Sequence, residues 1–129
     1  MLLVAMAQLL EAEPLSQRWD RTLDVGYGFA ADLMSDVLSL ARPGSVLVTG
    51  LANPQVIRTS EVAEVAAIVM VRGKRPLAET AALAKEAGIP IFCTAMTMFE
   101  ACGRLYGAGV KPARTSYSLP VEVELERDR

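Results

Sequence analysis

The sequence predicts an α/β domain on a small, mainly parallel β-sheet built from βαβ units with flanking helices. Two short apolar runs, Val46-Leu47-Val48 and Ala67-Ile68-Val69-Met70-Val71, each end in a turn, Thr49-Gly50 and Arg72-Gly73. A third run, Gly88-Ile89-Pro90-Ile91-Phe92-Cys93-Thr94, follows at the same interval: the strand starts near Val46, Ile68 and Pro90 are 22 residues apart each time. A polar loop and a helical segment follow every run. Apolar strands without polar alternation are buried on both faces, as parallel strands are, and regular strand–helix alternation is the mark of a wound sheet.

The remaining elements are read in order. Residues 2–12 carry Leu3, Met6, Leu9 and Leu10 at helical spacing, and Glu13-Pro14 ends that helix. Residues 14–30 alternate loosely, and Leu23 to Phe29 reads as a strand weakened by two glycines. Residues 31–40 read as a helix with Met34, Val37, Leu38 and Leu40 inward and Asp32 near its start, where a negative charge suits the helix dipole. Asn53-Pro54 opens the next helix, because Asn accepts from free backbone N–H groups and Pro has none to leave unsatisfied at the first position. This helix spans about 54–65, with Val56, Ile57, Ser60 and Ala63 inward, and its Thr59 and Ser60 hydroxyls are expected to bond back to the helix. The helix over 77–87 closes on Gly88 as a C-cap. A helix over 97–107 carries the bulky apolar residues Met98, Phe99, Leu105 and Tyr106. Met34, Met70, Met96 and Met98 read as core filler. Residues 112–129 form a tail in which residues 120–125 alternate strictly, the pattern of a half-exposed edge strand.

Composition bounds the function. A chain of 129 residues, 52% hydrophobic, is one domain with a sizeable core. The net charge of −2, with no basic stripe, gives no footprint for nucleic acid. No apolar run approaches the ~20 residues of a membrane span. The apolar N-terminus lacks a positive flank and meets Glu11 and Glu13, so it reads as an amphipathic helix rather than a signal. Two cysteines, Cys93 and Cys102, suggest reduced thiols and a cytoplasmic location.

Chemistry is excluded more readily than assigned. The chain has no histidine, which removes Ser-His and Cys-His nucleophile pairs and the usual nitrogen ligands of zinc. Neither a P-loop nor a dinucleotide glycine fingerprint occurs. Asp32 and Asp36 can be drawn as a magnesium clamp, but solvated helix charges are the commoner explanation. No catalytic residue, metal or cofactor is expected. In an open parallel sheet, ligands sit outside the carboxyl ends of the strands. That edge gathers Thr49, Gly50 and Asn53 from one loop, Arg72, Gly73 and Lys74 (with Arg75) from the next, and Thr94 from the third. Hydroxyls, glycine N–H groups and cations there suit a small anion such as a nucleotide phosphate, with Arg72 pairing it through its planar fork. Ser35 and Asp36 form a second patch if their helix packs beside the same edge. The alternative is a homodimeric interaction scaffold whose apolar helix faces bind another subunit or a partner protein. A third reading, an enzyme working through carboxylates and Lys74, has less behind it.

Several segments together resemble the stand-alone DRTGG-domain proteins of bacteria. They are Asp32-Leu33-Met34-Ser35-Asp36-Val37-Leu38, Val48-Thr49-Gly50-Leu51, Asn53-Pro54-Gln55-Val56-Ile57-Arg58-Thr59, Val71-Arg72-Gly73-Lys74-Arg75-Pro76 and Met98-Phe99-Glu100-Ala101-Cys102-Gly103. The likeness runs to about Lys111. It departs from the name-giving motif: Asp20-Arg21-Thr22 matches the first three letters, but Leu23-Asp24 replaces two glycines, and the two segments are not equated. The resemblance implies an α/β fold like that of regulatory domains found beside CBS domains in adenine-nucleotide-sensing enzymes. It also implies similarity to the N-terminal domain of HPr kinase. A regulatory or dimerising role without catalytic residues is what it leads one to expect, with the whole of 1–129 as a single domain.

Overall fold

The computed structural model describes residues 1–118. Five helices and six strands follow in the order α1 (Leu3–Leu9), β1 (Glu13–Pro14), β2 (Tyr27–Ala30), α2 (Met34–Leu40), β3 (Val46–Thr49), α3 (Pro54–Val62), β4 (Ala67–Met70), α4 (Ala78–Ala87), β5 (Ile91–Cys93), α5 (Met98–Gly107) and β6 (Lys111–Pro112). They build one sheet of order β1-β5-β4-β3-β2-β6, parallel except for β1. The three expected apolar runs are β3, β4 and β5, paired in parallel with Val46 opposite Ala67 and Ile68 opposite Ile91. The expected tail strand, residues 120–125, lies outside the described residues.

The crossovers β2-α2-β3, β3-α3-β4 and β4-α4-β5 step the same way across the sheet, so the shared handedness of such units places their helices on one face. Alternate strand side chains confirm the layering. Leu47, Ile68, Met70 and Ile91 pack with Val37, Val56, Ile57 and Ala84 of α2, α3 and α4. Val46, Val48, Val69 and Phe92 pack on the other face with Leu3 and Met6 of α1 and Ala101 and Leu105 of α5. Continuous burial of β3, β4 and β5 explains why these strands read as unbroken apolar runs.

Several sequence expectations are corrected. The first helix ends at Leu9, and Glu13-Pro14 is an edge strand antiparallel to β5, where a proline without an N–H is tolerated. The second helix begins at Met34 rather than residue 31, because the Asp32 carboxylate is bonded across to the loop after β3. On this short helix only Val37 is fully buried, and Leu38 is 55% exposed. Lys111-Pro112, assigned to no element from the sequence, pairs with β2. Asn53 does cap α3, accepting from the Val56 N–H at 3.3 Å, and Gly88 does close α4 in the left-handed conformation at φ 74°.

Thr59 and Ser60 are buried, but neither hydroxyl bonds back to the helix among the described residues, and Ser60 Oγ is left with no partner. A buried hydroxyl without a partner costs about 1–3 kcal/mol of desolvation. Ser60→Ala is therefore expected to raise the unfolding free energy by about 1 kcal/mol, measurable by urea denaturation. A loss of stability would mean that the hydroxyl is satisfied after all.

Candidate functional site

The loops after β2, β3, β4 and β5 meet at the C-terminal edge of the sheet. Between β4 and β5 the winding reverses: α4 leaves to one face and α5 to the other. This is the switch point at which open α/β sheets bind ligands. Here two backbone hydrogen bonds zip the crevice, Arg72 N–H to the Met96 carbonyl at 2.8 Å and Gly73 N–H to the Thr94 carbonyl at 2.9 Å. What remains is a surface shelf, with Asn53, Arg72, Gly73 and Lys74 exposed on it.

Arg72 and Gly50 form the centre of that shelf. A Cβ on Gly50 would lie 2.2 Å from Arg72 Nη2 and 2.8 Å from its Cζ, so the guanidinium rests on bare backbone. Arg72 itself has φ 59°. Glu11 and Glu64 share that conformation, but they follow the ends of α1 and α3, where a left-handed residue is usual. Arg72 follows a strand, and a bulky residue held there is out of the ordinary. Its guanidinium makes no hydrogen bond or ion pair with protein among the described residues. Lys74 is also unpaired among them, whereas Arg75 binds Glu13 at 2.9 Å across the sheet edge.

The threonines are placed at the same edge with their hydroxyls engaged. Thr49 Oγ1 donates to Asp32 at 3.0 Å and accepts from the Leu51 N–H at 3.1 Å. Thr94 Oγ1 donates to the Leu10 carbonyl at 2.6 Å and accepts from the Met96 N–H at 3.2 Å, tying α1 to the switch-point loop. Ser35 and Asp36 lie exposed in the first turn of α2, which starts from this edge, with no side-chain hydrogen bond to the shelf among the described residues.

Asp32 is the residue that sequence reasoning misplaced. Its carboxylate accepts from Gly50 N–H at 2.8 Å as well as from Thr49, and so fixes the glycine on which Arg72 lies. Thr80 completes the frame, its hydroxyl donating to the Ala52 carbonyl at 2.7 Å. An acid between a strand end and a helix was the available signal, but its partner lies in another loop. The Asp20-Arg21-Thr22 segment is a self-contained turn: Asp20 accepts from the Thr22 N–H and hydroxyl, which hold its carboxyl below the usual range. Burial raises both Cys93 and Cys102 thiols, opposite to what a nucleophile needs. Among the described residues no cluster of three or more acidic, cysteine or histidine side chains could hold a metal, and no helix is long and apolar enough to cross a membrane.

The shelf and its winding can now be compared with known proteins. No protein-family model matches the sequence, and no curated protein matches it as a relative. A solved structure is similar: the CBS and DRTGG domains of the regulatory region of Clostridium perfringens pyrophosphatase, crystallised with the activator diadenosine tetraphosphate. Superposition gives a TM-score of 0.68 at 19% identity, covering 86% of this chain and 47% of that one. The fold is DRTGG-like. At that identity the likeness speaks for the fold alone, and this chain spans about half of the regulatory region it matches.

Proposed function

We propose that this chain is a non-catalytic regulatory module that binds a small anionic ligand, such as a nucleotide, at the C-terminal edge of its parallel sheet. Arg72 carries the reading: a cation in a costly backbone conformation, laid on a glycine and left without a protein partner among the described residues. A planar guanidinium presented in this way suits a phosphate or carboxylate. In this reading Gly50, Gly73, Asn53 and Lys74 complete the contact surface, and Thr49 and Thr94 hold its backbone. The similar pyrophosphatase region, a regulatory assembly complexed with a nucleotide activator, supports the ligand class. The absence of histidine and the raised thiols support a role without chemistry. Free thiols also fit a reducing, cytoplasmic setting.

The test is the thermal midpoint of the protein against adenine and guanine nucleotides, acetyl phosphate and inorganic phosphate. A ligand at a hundred times its dissociation constant adds about 2.7 kcal/mol, a shift of several degrees. Arg72→Ala is expected to reduce that shift while leaving the unliganded midpoint within about 2 °C, since exposed positions without partners contribute little. A shift that is undiminished in Arg72→Ala for every ligand of the panel overturns the site. A flat panel favours the second reading, a homodimeric scaffold, for which the observation is Phe99, 90% exposed on α5 with Tyr106 two turns on.

A further inference from the structure

We propose that the cleft between β6, the end of α5 and the turn after α2 is a separate site for a nucleoside polyphosphate, with the phosphates on Arg42, Lys111 and Arg114 and the base on Tyr106. The cleft lies at the opposite edge of the sheet, where Tyr27 opens β2, Lys111 opens β6 and Arg42 precedes β3. It is open and has a volume of about 660 Å³. It shares no residue with the Arg72 shelf.

Charge is the first observation. Three cations from two stretches, Arg42 before β3 and Lys111 and Arg114 at β6, converge on the cleft; among the described residues no carboxylate lines it and none of the three forms an ion pair. Like charges gathered without a counter-charge repel one another and raise the local potential for anions. Their carriers are also held in place. The Arg42 guanidinium lies 3.8 Å over the Tyr27 ring, and its carbonyl accepts from the Ser45 hydroxyl at 2.6 Å. Lys111 N–H donates to the Gly26 carbonyl at 2.9 Å, so β6 is zipped to β2 and the backbone that carries the lysine is anchored. The Arg114 guanidinium likewise lies 4.2 Å over the Tyr117 ring, and cations held on rings before binding lose less freedom when the anion arrives.

Shape is the second observation. An apolar groove of about 190 Å³ between β2 and α5 adjoins the cleft: Tyr106, Lys111 and Pro112 line both. Tyr106 is 70% exposed and offers a free aromatic surface at the junction. A base can stack on such a ring while its polar edges stay in water. Inorganic phosphate alone would leave the groove unused, and a neutral aromatic would leave three cations unneutralised. An aromatic group joined to several phosphates uses both halves.

The experiment is isothermal titration of the full chain with ATP and with inorganic tripolyphosphate, without divalent cations. Lys111→Ala/Arg114→Ala is expected to weaken both ligands by about tenfold or more, because two charge-assisted contacts are lost. Tyr106→Ala is expected to weaken ATP by about fivefold or more and to leave tripolyphosphate unchanged, because only the base stacks. Arg72→Ala is expected to leave in place the component of binding that the double substitution removes. All the substituted side chains are exposed, so circular dichroism should match the parent, and Lys111→Gln/Arg114→Gln repeats the test if the alanine pair misfolds. The proposal fails if ATP gives no binding heat, if the double substitution leaves binding undiminished, or if Tyr106→Ala affects both ligands equally. Loss in Arg72→Ala alone would assign ATP to the other edge, ending this proposal and sustaining the previous one.

Discussion

Phe92→Ala is expected to lower the unfolding free energy by about 3–5 kcal/mol. Phe92 is the largest fully buried side chain among the described residues, at the centre of β5, and it packs into the face covered by α1 and α5. Trp19 meets it edge-on, with ring centroids 5.2 Å apart and an interplanar angle of 78°. Alanine removes the ring and leaves a cavity that a parallel sheet, held from both sides, cannot collapse to fill. It also strips Trp19 of its aromatic partner, worth about 0.5–1.5 kcal/mol beyond area. For a domain of this size the midpoint should fall by roughly 10 °C or more. Phe99→Ala is the control: that ring is 90% exposed, and its loss should stay within about 0.5 kcal/mol. Equal effects of the two substitutions in thermal unfolding would contradict the layering described above.

Gly50→Ala is expected to reproduce the ligand-binding loss of Arg72→Ala with the arginine still present. The new Cβ would occupy a point 2.2 Å from Arg72 Nη2, so the guanidinium must leave the shelf. Its far end is flexible and exposed, and Gly50 is not among the residues with positive φ, so alanine fits the backbone itself. Stability should therefore change by less than about 1 kcal/mol while anion affinity falls by about tenfold, the weight of one charged hydrogen-bonding contact. Titration of the anion that stabilises the parent protein checks this. Unchanged affinity in Gly50→Ala beside a loss in Arg72→Ala would show that the charge matters but its resting place does not.

The core of the fold was legible because its signals are local. Val46 to Val48, Ala67 to Val71 and Ile89 to Cys93 are contiguous apolar runs, and a strand buried on both faces must be apolar at every position. Asn53-Pro54 and Gly88 announced the limits of their helices because capping satisfies backbone groups within a few residues. The edge strands Glu13–Pro14 and Lys111–Pro112 were not legible. Two-residue strands carry no periodicity, and only the partner strand makes them strands. Phe99 and Leu38 were apolar without being internal, since the side a helix buries is set by what it packs on.

The sequence by itself determined the wound parallel sheet, the helices that cover it and the edge where Gly50, Arg72 and Thr94 gather, because each follows from hydrogen bonding and burial along neighbouring residues. Tertiary structure alone decided that Arg72 lies on Gly50, that Asp32 holds that glycine from the next loop, that Thr94 ties down α1 and that Arg42, Lys111 and Arg114 share a cleft. Those contacts join residues far apart in the chain, and their distances are set by strand order and register, which no local pattern encodes.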